Sequence, residues 1–226
     1  MKNKTIYIAF EGIDGSGKSV QFKRLKEILV EKGKSVGILD FPDYDSFFGK
    51  EIGRLLSGKD KVTAADLDPK SMSLWYAADR YNSFKTFDDS QYEFVLMNRS
   101  TMANAAYQGT RSEDPKALAQ WIYELEFESL NIPKPDIFFI FDIPTSLSRK
   151  NVAKKGFRGY VGDDADVYEK DVAFLENVRN CYLTCAEFYP GSVVLNCADK
   201  NEEMRSIEEI STDVLNILKD RFGINI

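Results

Sequence analysis

The sequence predicts an α/β fold in which parallel strands alternate with helices. Short apolar runs of strand length recur along the 226 residues, and longer stretches with helical periodicity lie between them. Strands joined through helices pair in parallel by right-handed crossovers. Because 43% of the residues are hydrophobic and 29% are charged, the composition is that of an ordinary globular chain. We therefore expect one domain spanning residues 1–226.

Five strands and at least five helices are predicted along the chain. The strands are Ile6–Phe10, Val36–Phe41, Phe94–Met97, Ile137–Asp142 and Val193–Asn196. The helices are Val20–Lys32, Pro69–Phe87, Pro115–Leu130, Tyr168–Phe188 and Ile207–Phe222. Ligands of parallel sheets bind beyond the carboxyl ends of the strands. A site is therefore expected among four junctions, which are Phe10–Ser19, Phe41–Tyr44, Asn98–Arg99 and Asp142–Arg149.

Composition excludes several classes of function. The net charge of −6 argues against a broad nucleic-acid-binding surface, and the absence of His removes imidazole from any mechanism. Cys181, Cys185 and Cys197 lack metal-site spacing and cannot all pair with one another, which indicates free thiols in a reducing cytosol. The apolar stretch in "MKNKTIYIAF" is too short for a signal peptide or a membrane span. We expect a cytoplasmic protein that binds neither nucleic acid nor membrane.

The segment "FEGIDGSGKS" has the spacing of a phosphate-binding loop. Gly12, Gly17, Lys18 and Ser19 fit the pattern G-x-x-x-x-G-K-[ST], directly after one predicted strand and at the start of a helix. Glycines allow backbone N–H groups to converge on phosphate oxygens, and the helix N-terminus adds a positive dipole. Lys18 would reach the β- and γ-phosphates, and the Ser19 hydroxyl would bind Mg²⁺. The sequence therefore predicts binding of a nucleoside polyphosphate.

A small kinase fits the remaining motifs better than a regulatory GTPase does. The "NCAD" at Asn196–Asp199 lacks the lysine of an N-K-x-D base-reading motif, and a D-x-x-G switch is not evident. A kinase needs a second site for its acceptor. Tyr76 and Arg80 lie four residues apart on one helix face, where they could stack on a base and hydrogen-bond its edge. Alternatively, Tyr76 packs in the core and Arg80 is solvated.

Taken together, several stretches resemble the thymidylate kinase family over nearly the whole chain. They are "FEGIDGSGKS", "FPDY", "ADR", "NRSTMANAAYQG", "PKPDIFFIFDIP" and "DVYEKDVAFLENVRNCYL". The resemblance implies a P-loop NTPase three-layer fold, with a five-stranded parallel sheet flanked by helices and a short lid at about 150–167. It further implies phosphorylation of dTMP to dTDP with ATP and Mg²⁺, commonly by a homodimer. The segment "ALAQWIYELEFESL" could form the dimer interface or simply pack in the core.

The resemblance also implies roles for individual residues. It assigns ATP binding to Gly12, Asp14, Gly15, Ser16, Gly17, Lys18, Ser19 and Arg149. It assigns catalysis to Lys18, Arg99 and Asp14, with Arg149 and Arg158 as candidates from the lid. The acceptor dTMP would be held by Asp14, Phe41, Pro42, Tyr44, Tyr76, Arg80, Arg99, Asn104 and Tyr107. Among these, Tyr76 would stack on thymine, Arg80 would read its carbonyl edge and Arg99 would grip the acceptor phosphate.

The lid assignment depends on one departure within the phosphate-binding loop. Gly15 stands where some thymidylate kinases have an arginine, and this chain resembles the class that supplies that arginine from the lid. Arg149 and Arg158 are the candidates, with Lys154 and Lys155 close by. A lid arginine would stabilise charge on the transferring phosphoryl group. The alternative is a passive surface loop.

A second departure concerns the metal site. The family usually has Asp-Arg-Tyr or Asp-Arg-His after the third strand, and this chain has Asn98-Arg99-Ser100. Because an amide is neutral, Asn98 attracts Mg²⁺ less than the family acid does and could contribute only through water. Ser19, Glu11 and Glu169 would complete the metal site, or the protein is a weakly catalytic nucleotide-binding regulator. Asp43 and Ala103 also leave open a different pyrimidine acceptor, such as dUMP or a 5-modified dUMP.

Overall fold

Five parallel strands form one sheet in the order β2-β3-β1-β4-β5 in the computed structural model, which describes residues 4–153 and 172–224. The strands are β1 (Ile6–Glu11), β2 (Val36–Asp40), β3 (Phe94–Asn98), β4 (Ile137–Asp142) and β5 (Ser192–Asn196). Every predicted strand is confirmed, with each end within one residue of its predicted position. The predicted parallel α/β fold is confirmed as well.

Eight α-helices flank the sheet within the described residues. They are α1 (Lys18–Glu31), α2 (Phe47–Ser57), α3 (Pro69–Thr86), α4 (Thr101–Gly109), α5 (Pro115–Tyr123), α6 (Thr145–Ala153), α7 (Val172–Phe188) and α8 (Ile207–Phe222). The five predicted helices correspond to α1, α3, α5, α7 and α8. The predicted first residues of the fourth, 168–171, lie outside the described part of the chain. All eight helices are too short or too polar to cross a membrane.

The helix predicted over Pro115–Leu130 changes its winding part of the way along. The α-helix α5 ends at Tyr123, and residues Glu124–Ser129 continue as a π-helical turn. Two residues of this turn, Glu126 and Phe127, are buried. Such turns often occur at functional sites, and this one brings a carboxylate into the interior.

The main core covers both faces of the sheet. In β4 the run "IFFIFD" is buried over its first five residues, as expected for a central parallel strand covered on both sides. The Phe10 ring of β1 stacks on Phe141 at 5.7 Å and meets Phe22 of α1 edge-on at 5.3 Å. A smaller core lies between α2 and α3, built from Ile52, Leu55, Leu56, Ala64 and Met72.

The strand register brings three of the expected junctions to one edge of the sheet. Asp40 and Phe10 both pair in register with Asn98, so β1, β2 and β3 end side by side. The loop after β1 is residues 12–17, the segment after β2 begins at Phe41, and Arg99 follows β3. The predicted convergence of these segments beyond the strand ends is therefore present.

Candidate active site

Two positions in the loop after β1 require glycine. Gly12 has φ +131°, and a Cβ there would lie 2.7 Å from the Phe141 carbonyl oxygen. Gly15 has φ +76°, and a Cβ there would overlap the Ser148 carbonyl. The loop is thus pressed against β4 and α6. Gly17 precedes α1 without a side-chain cap, which leaves the first N–H groups of the helix available to an anion.

The carboxylate of Asp14 lies between two cations. Lys18 Nζ is 3.2 Å from Asp14 Oδ1, and Arg99 Nη2 is 2.8 Å from the same oxygen. Lys18 Nζ also donates to the Ile13 carbonyl at 3.2 Å. The structure therefore brings together the cation of the glycine loop and the cation that follows β3. Three residues predicted to be catalytic, Asp14, Lys18 and Arg99, form one cluster.

Arg99 enters this cluster through an unusual backbone conformation. Its φ is +67°, in the left-handed region that residues other than glycine rarely adopt. Its Nη1 lies 3.3 Å from the Tyr182 hydroxyl, and its guanidinium carbon is 5.2 Å from the centre of the Tyr107 ring. Burial alone would lower the pKa of Arg99, but Tyr107, Asp14 and other neighbours outweigh it and raise that pKa. The guanidinium therefore stays charged while largely enclosed by protein.

A buried ion pair fixes Arg80. Its Nε and Nη2 donate to Glu126 at 2.6 and 2.5 Å, and Arg80 is only 2% exposed. Glu126 also accepts from Thr101 Oγ1 at 2.6 Å and from Asn104 Nδ2 at 3.0 Å. The alternative in which Arg80 is solvated is therefore wrong. The guanidinium carbon lies 5.8 Å from the centre of the Phe41 ring, which places Arg80 beside the segment after β2.

The other residues predicted to hold the acceptor differ in burial. Tyr76 and Tyr107 are half-buried and pack against the smaller core, and the Tyr107 hydroxyl is 3.4 Å from Asp14 Oδ2. Asn104 is buried, and its Oδ1 has no hydrogen-bond partner among the residues described. Phe41 is buried, whereas Pro42 and Tyr44 are half-buried. Of these residues, Tyr107 contacts Arg99 and Asn104 contacts Glu126.

Asp79 holds the segment after β2 in place. Its Oδ2 accepts from the Asp43 N–H at 2.9 Å, and its Oδ1 accepts from Ser46 Oγ at 2.8 Å. Burial raises the pKa of Asp79 in spite of these two hydrogen bonds. Asp43 Oδ1 accepts a hydrogen bond from the Asp45 N–H at 3.1 Å.

The predicted metal residues occupy different surroundings. Ser19 is half-buried in the first turn of α1, whereas Glu11 is fully buried. Glu11 Oε1 accepts from Ser100 Oγ at 2.5 Å and its Oε2 accepts from the Tyr182 hydroxyl at 3.3 Å, while burial raises its pKa. Within residues 4–153 and 172–224, three or more Cys, Asp or Glu side chains nowhere cluster as a ready metal site.

The predicted lid lies mostly outside the described residues. Arg158, Lys154, Lys155 and Glu169 all fall in the segment 154–171. Arg149 is described and is exposed on α6. On the same helix, Ser148 Oγ donates to the Asp14 carbonyl at 2.7 Å and Asn151 Nδ2 donates to the Gly15 carbonyl at 2.9 Å. The helix that leads into the lid is therefore fastened to the glycine loop.

Sequence reasoning missed three acids that organise the site. They are Asp40, which accepts from Asn98, Asp79, which holds the segment after β2, and Glu126, which neutralises Arg80. Each has only a local cue in the sequence, which does not reveal its partner. Asp40 immediately precedes "FPDY", Asp79 immediately precedes Arg80, and Glu126 is an acid on an otherwise apolar helix face.

The sheet order and the glycine loop between β1 and α1 together define a P-loop NTPase fold. The family model for thymidylate kinase matches residues 10–209. A probable thymidylate kinase of Sulfurisphaera tokodaii is 34% identical over 198 residues, covering 88% of this chain and 90% of the relative. The thymidylate kinase of Mycobacterium tuberculosis is 28% identical, covering 79% of this chain and 85% of its own length. The chain belongs to the thymidylate kinase family.

Two solved structures share the fold. A thymidylate kinase from Candida albicans superposes with a TM-score of 0.74 at 20% identity, covering 100% of this chain and 97% of that one. A thymidylate kinase from Ehrlichia chaffeensis gives a TM-score of 0.67 at 24% identity, covering 96% and 100% of the two chains. The expected P-loop NTPase fold is confirmed.

Proposed function

We propose that this protein transfers the γ-phosphoryl group of ATP to dTMP, giving ADP and dTDP. One observation carries the proposal: Lys18 of the glycine loop and Arg99 after β3 converge on the single carboxylate of Asp14. In a kinase, the donor and acceptor phosphates must meet between two such cations. Membership of the thymidylate kinase family supports the choice of acceptor.

The reaction requires alignment and neutralisation of charge rather than a strong base. An oxygen of the dTMP phosphate attacks the γ-phosphorus of ATP, while the bond from that phosphorus to the β–γ bridging oxygen breaks. The attacking oxygen already carries negative charge, so it needs no deprotonation. Lys18 and the loop N–H groups hold the donor phosphates, and the fork of Arg99 holds the acceptor phosphate.

The proposed acceptor site lies between α3 and α4. Tyr76 offers a flat face for the thymine ring, and Arg80 lies beside Phe41 with two of its nitrogens bound to Glu126. Because those bonds fix the guanidinium, Nη1 is the nitrogen left to meet a base carbonyl. Asn104 and Tyr107 complete the wall, and Asp14 would lie near the sugar hydroxyl. A pre-organised polar group of this kind discriminates strongly between bases.

Mg²⁺ would accompany ATP in this proposal. The residues present fit a cation carried by the nucleotide, because Ser19 lies in the first turn of α1 and the exposed residue Asp40 ends β2 at the same edge of the sheet, two strands from β1. The cation would neutralise the developing charge on the β- and γ-phosphates. Ser19 would contribute its hydroxyl oxygen.

A coupled assay of ADP release tests the assignment. The acceptors are dTMP, dUMP, the thymine ribonucleotide, dCMP, AMP and GMP, each at saturating ATP and Mg²⁺. We expect the highest kcat/KM with dTMP. Best activity with dUMP would favour the alternative of another pyrimidine acceptor, and best activity with dCMP or a purine would reject the thymidylate assignment. If ADP release stays at background with every acceptor, the result would favour the alternative of a weakly catalytic nucleotide-binding regulator.

A lid arginine is also part of the proposal. We expect Arg158→Ala to lower kcat far more than it weakens binding of an ATP analogue, because a cation delivered by closure acts mainly in the transition state. Arg149→Ala is the matched variant, since Arg149 is an exposed arginine on α6. If Arg149→Ala lowers kcat and Arg158→Ala does not, Arg149 is the arginine that acts in the transition state. If both turn over normally, the lid is a passive loop.

The same proposal includes a homodimer in the cytoplasm. The segment "ALAQWIYELEFESL" buries Leu118, Ala119, Ile122 and Phe127 in the main core of its own chain. Two large apolar residues are instead exposed and remain available to a dimer interface: Phe47 of α2, which is 67% exposed, and Leu74 of α3, which is 50% exposed. Light scattering after gel filtration measures the assembly directly. Cys181, Cys185 and Cys197 are all free thiols, which agrees with a reducing compartment.

A further inference from the structure

Asp40 and Asn98 form a bonded pair at the edge of the sheet where the candidate site lies. Asp40 is the last residue of β2 and Asn98 is the last residue of β3, and they are partners in the strand register. Asn98 Nδ2 donates to Asp40 Oδ1 at 2.8 Å. On the other side of Asn98, its register partner is Phe10 of β1, the strand that leads into the glycine loop. Asn98 is therefore one strand away from β1, and Asp40 is two strands away.

The hydrogen bond fixes which way the amide of Asn98 faces. A flipped amide would place its oxygen against the Asp40 carboxylate, and two acceptors would repel each other. In the observed orientation, Asn98 Oδ1 is buried and has no hydrogen-bond partner among the described residues. Leaving that oxygen unpaired costs stability, so the bond to Asp40 outweighs the loss. In this orientation the amide binds the Asp40 carboxylate through Nδ2.

Asp40 is the member of the pair that can meet a ligand. Its side chain is exposed, whereas Asn98 is only partly so. Its register partner Asn98 is followed directly by Arg99, which shares the Asp14 carboxylate with Lys18, so Asp40 lies at the same edge of the sheet as both cations. Since Asn98 binds Oδ1, the second oxygen, Oδ2, is the one left to bind a ligand.

We propose that Asp40, held by Asn98, supplies the carboxylate that binds the hydration shell of the divalent cation carried by ATP. Negative charge at this edge of the site thus comes from the end of β2, with a neutral residue at the end of β3. The inference rests on the proposed function only in taking ATP as the donor. Asn98 is a positioning residue, because it acts on the cation through Asp40.

The test compares binding of a non-hydrolysable ATP analogue by calorimetry in Mg²⁺ and in EDTA. The ratio of the two dissociation constants measures how much the cation contributes, without any turnover. We expect Asp40→Asn to reduce that ratio by at least about tenfold, the usual lower limit when groups around a metal are altered. The double variant Asp40→Asn with Asn98→Asp returns one carboxylate to the pair, and we expect it to regain most of the ratio.

Asp45→Asn is the matched control. It removes the same charge from another exposed residue, five positions further along the chain, and should leave the ratio as in the wild type. Thermal unfolding of each variant checks that it is folded, which the exposed position of Asp40 favours. The inference is overturned if Asp40→Asn keeps the wild-type ratio, if the double variant stays as low as the single one, or if Mg²⁺ does not tighten analogue binding in the wild type.

Failure of the proposed function would look different. A wild-type protein that binds the analogue more tightly with Mg²⁺, yet releases no ADP with dTMP, would reject the proposed phosphoryl transfer and leave the role of Asp40 intact. Loss of the Mg²⁺ effect only in Asp40→Asn, in an active enzyme, would support both.

Discussion

Arg99 places its guanidinium in the site by adopting a backbone conformation that favours glycine, with φ +67°. A left-handed residue with a Cβ stores about 1–2 kcal/mol of strain. The strain is tolerated because Arg99 is bound by Asp14 and stacked on Tyr107. Strain at such a position is characteristic of functional sites, where the surrounding structure fixes the conformation.

Two substitutions at position 99 separate the backbone from the side chain. Arg99→Gly and Arg99→Ala both remove the guanidinium, so we expect both to lose nearly all turnover with dTMP. Only the glycine variant relieves the strained backbone. We therefore expect Arg99→Gly to be more stable to urea than Arg99→Ala by about 1 kcal/mol. Equal stabilities, or a more stable alanine variant, would contradict the argument from strain.

The Glu126 carboxylate is the most consequential buried charge away from the phosphate site. Both of its oxygens accept hydrogen bonds, from Arg80, Thr101 and Asn104. The NH2 group of a glutamine at this position would therefore face other donors and could not accept from them. We expect Glu126→Gln to lower the free energy of unfolding by about 3 kcal/mol, because it leaves the Arg80 charge buried and uncompensated. Urea unfolding measures the change.

Glu128→Gln is the control for that loss. Glu128 lies two residues along on the same turn and pairs with Lys134 at 2.5 Å, but it is 59% exposed. An exposed pair contributes less than about 1 kcal/mol, so this variant should remain close to the wild type. Similar losses in the two variants would mean that burial does not set the cost at Glu126.

Individual residues differed in how far the sequence could predict them. Gly12 and Lys18 belong to a motif whose spacing carries its own mechanism, so their placement could be predicted. Glu126 could not, because its partner Arg80 is 46 residues away and the pairing depends on how helices pack. Asp40 was missed for a similar reason, since only the strand register shows that it adjoins Asn98.

At the scale of elements, the loop between β1 and α1 depends on how closely β4 approaches it. Gly12→Ala would set a Cβ 2.7 Å from the Phe141 carbonyl oxygen at φ +131°. We expect this variant to lose about 3 kcal/mol of stability, since overpacking adds to backbone strain, and to lose measurable affinity for an ATP analogue. Calorimetry and urea unfolding measure the two effects.

Gly33→Ala provides the comparison for backbone strain alone. Gly33 follows α1 with φ +74°, and a Cβ there would meet nothing within 4 Å. The expected cost is about 1 kcal/mol with unchanged nucleotide binding. If Gly33→Ala proved as damaging as Gly12→Ala, the close approach of β4 would not be the reason for glycine at position 12.

The pattern of the sequence predicted elements with a clear apolar period better than elements without one. The strands were predicted to within a residue because each is a compact apolar run. The helices α2, α4 and α6 were not among the five predicted helices. Of these, α4 is buried at eight of its nine positions, so it shows no amphipathic period. The π-helical turn at Glu124–Ser129 was also unpredicted, because it departs from the 3.6-residue period.

On the scale of the whole molecule, Asp79 joins the smaller core between α2 and α3 to the sheet. It sits on α3 and binds the segment that leads from β2 into α2. Because burial raises its pKa above the usual 3.8, the folded protein binds a proton here more tightly than the unfolded chain does. Stability from this group is therefore fully present below pH 3.8 and is lost as the pH rises through the raised value.

The substitution Asp79→Asn tests this pH dependence. Asparagine can accept from the Asp43 N–H and donate to Ser46 Oγ, so it keeps both bonds without the charge. We expect the variant to be more stable than the wild type at pH 8, with the difference shrinking toward pH 4. Thermal unfolding across that range measures it.

Asp66→Asn should behave in the opposite way. The exposed Asp66 accepts two bonds from Thr63, which lower its pKa. Its charge therefore stabilises the fold near neutral pH, and the substitution should cost stability there but not in acid. A parallel response of the two variants would contradict the assignment at Asp79.

The order of strands was beyond what pattern alone could predict. Alternating strands and helices indicate a parallel sheet, but they do not say that β1 lies between β3 and β4. Only the family resemblance implied the five-stranded P-loop arrangement. That arrangement matters because it sets the loop after β1 next to Arg99 and opposite α6.

Asp14 has a further consequence for the order in which ligands bind. One oxygen serves as counter-ion to both Lys18 and Arg99, which in the proposed reaction belong to different nucleotides. The phosphate that binds first neutralises part of the charge that Asp14 otherwise balances, and it thereby changes the electrostatic potential at the second phosphate site. Donor and acceptor occupancy are therefore thermodynamically linked, and reciprocity demands that each shift the other's affinity by the same factor.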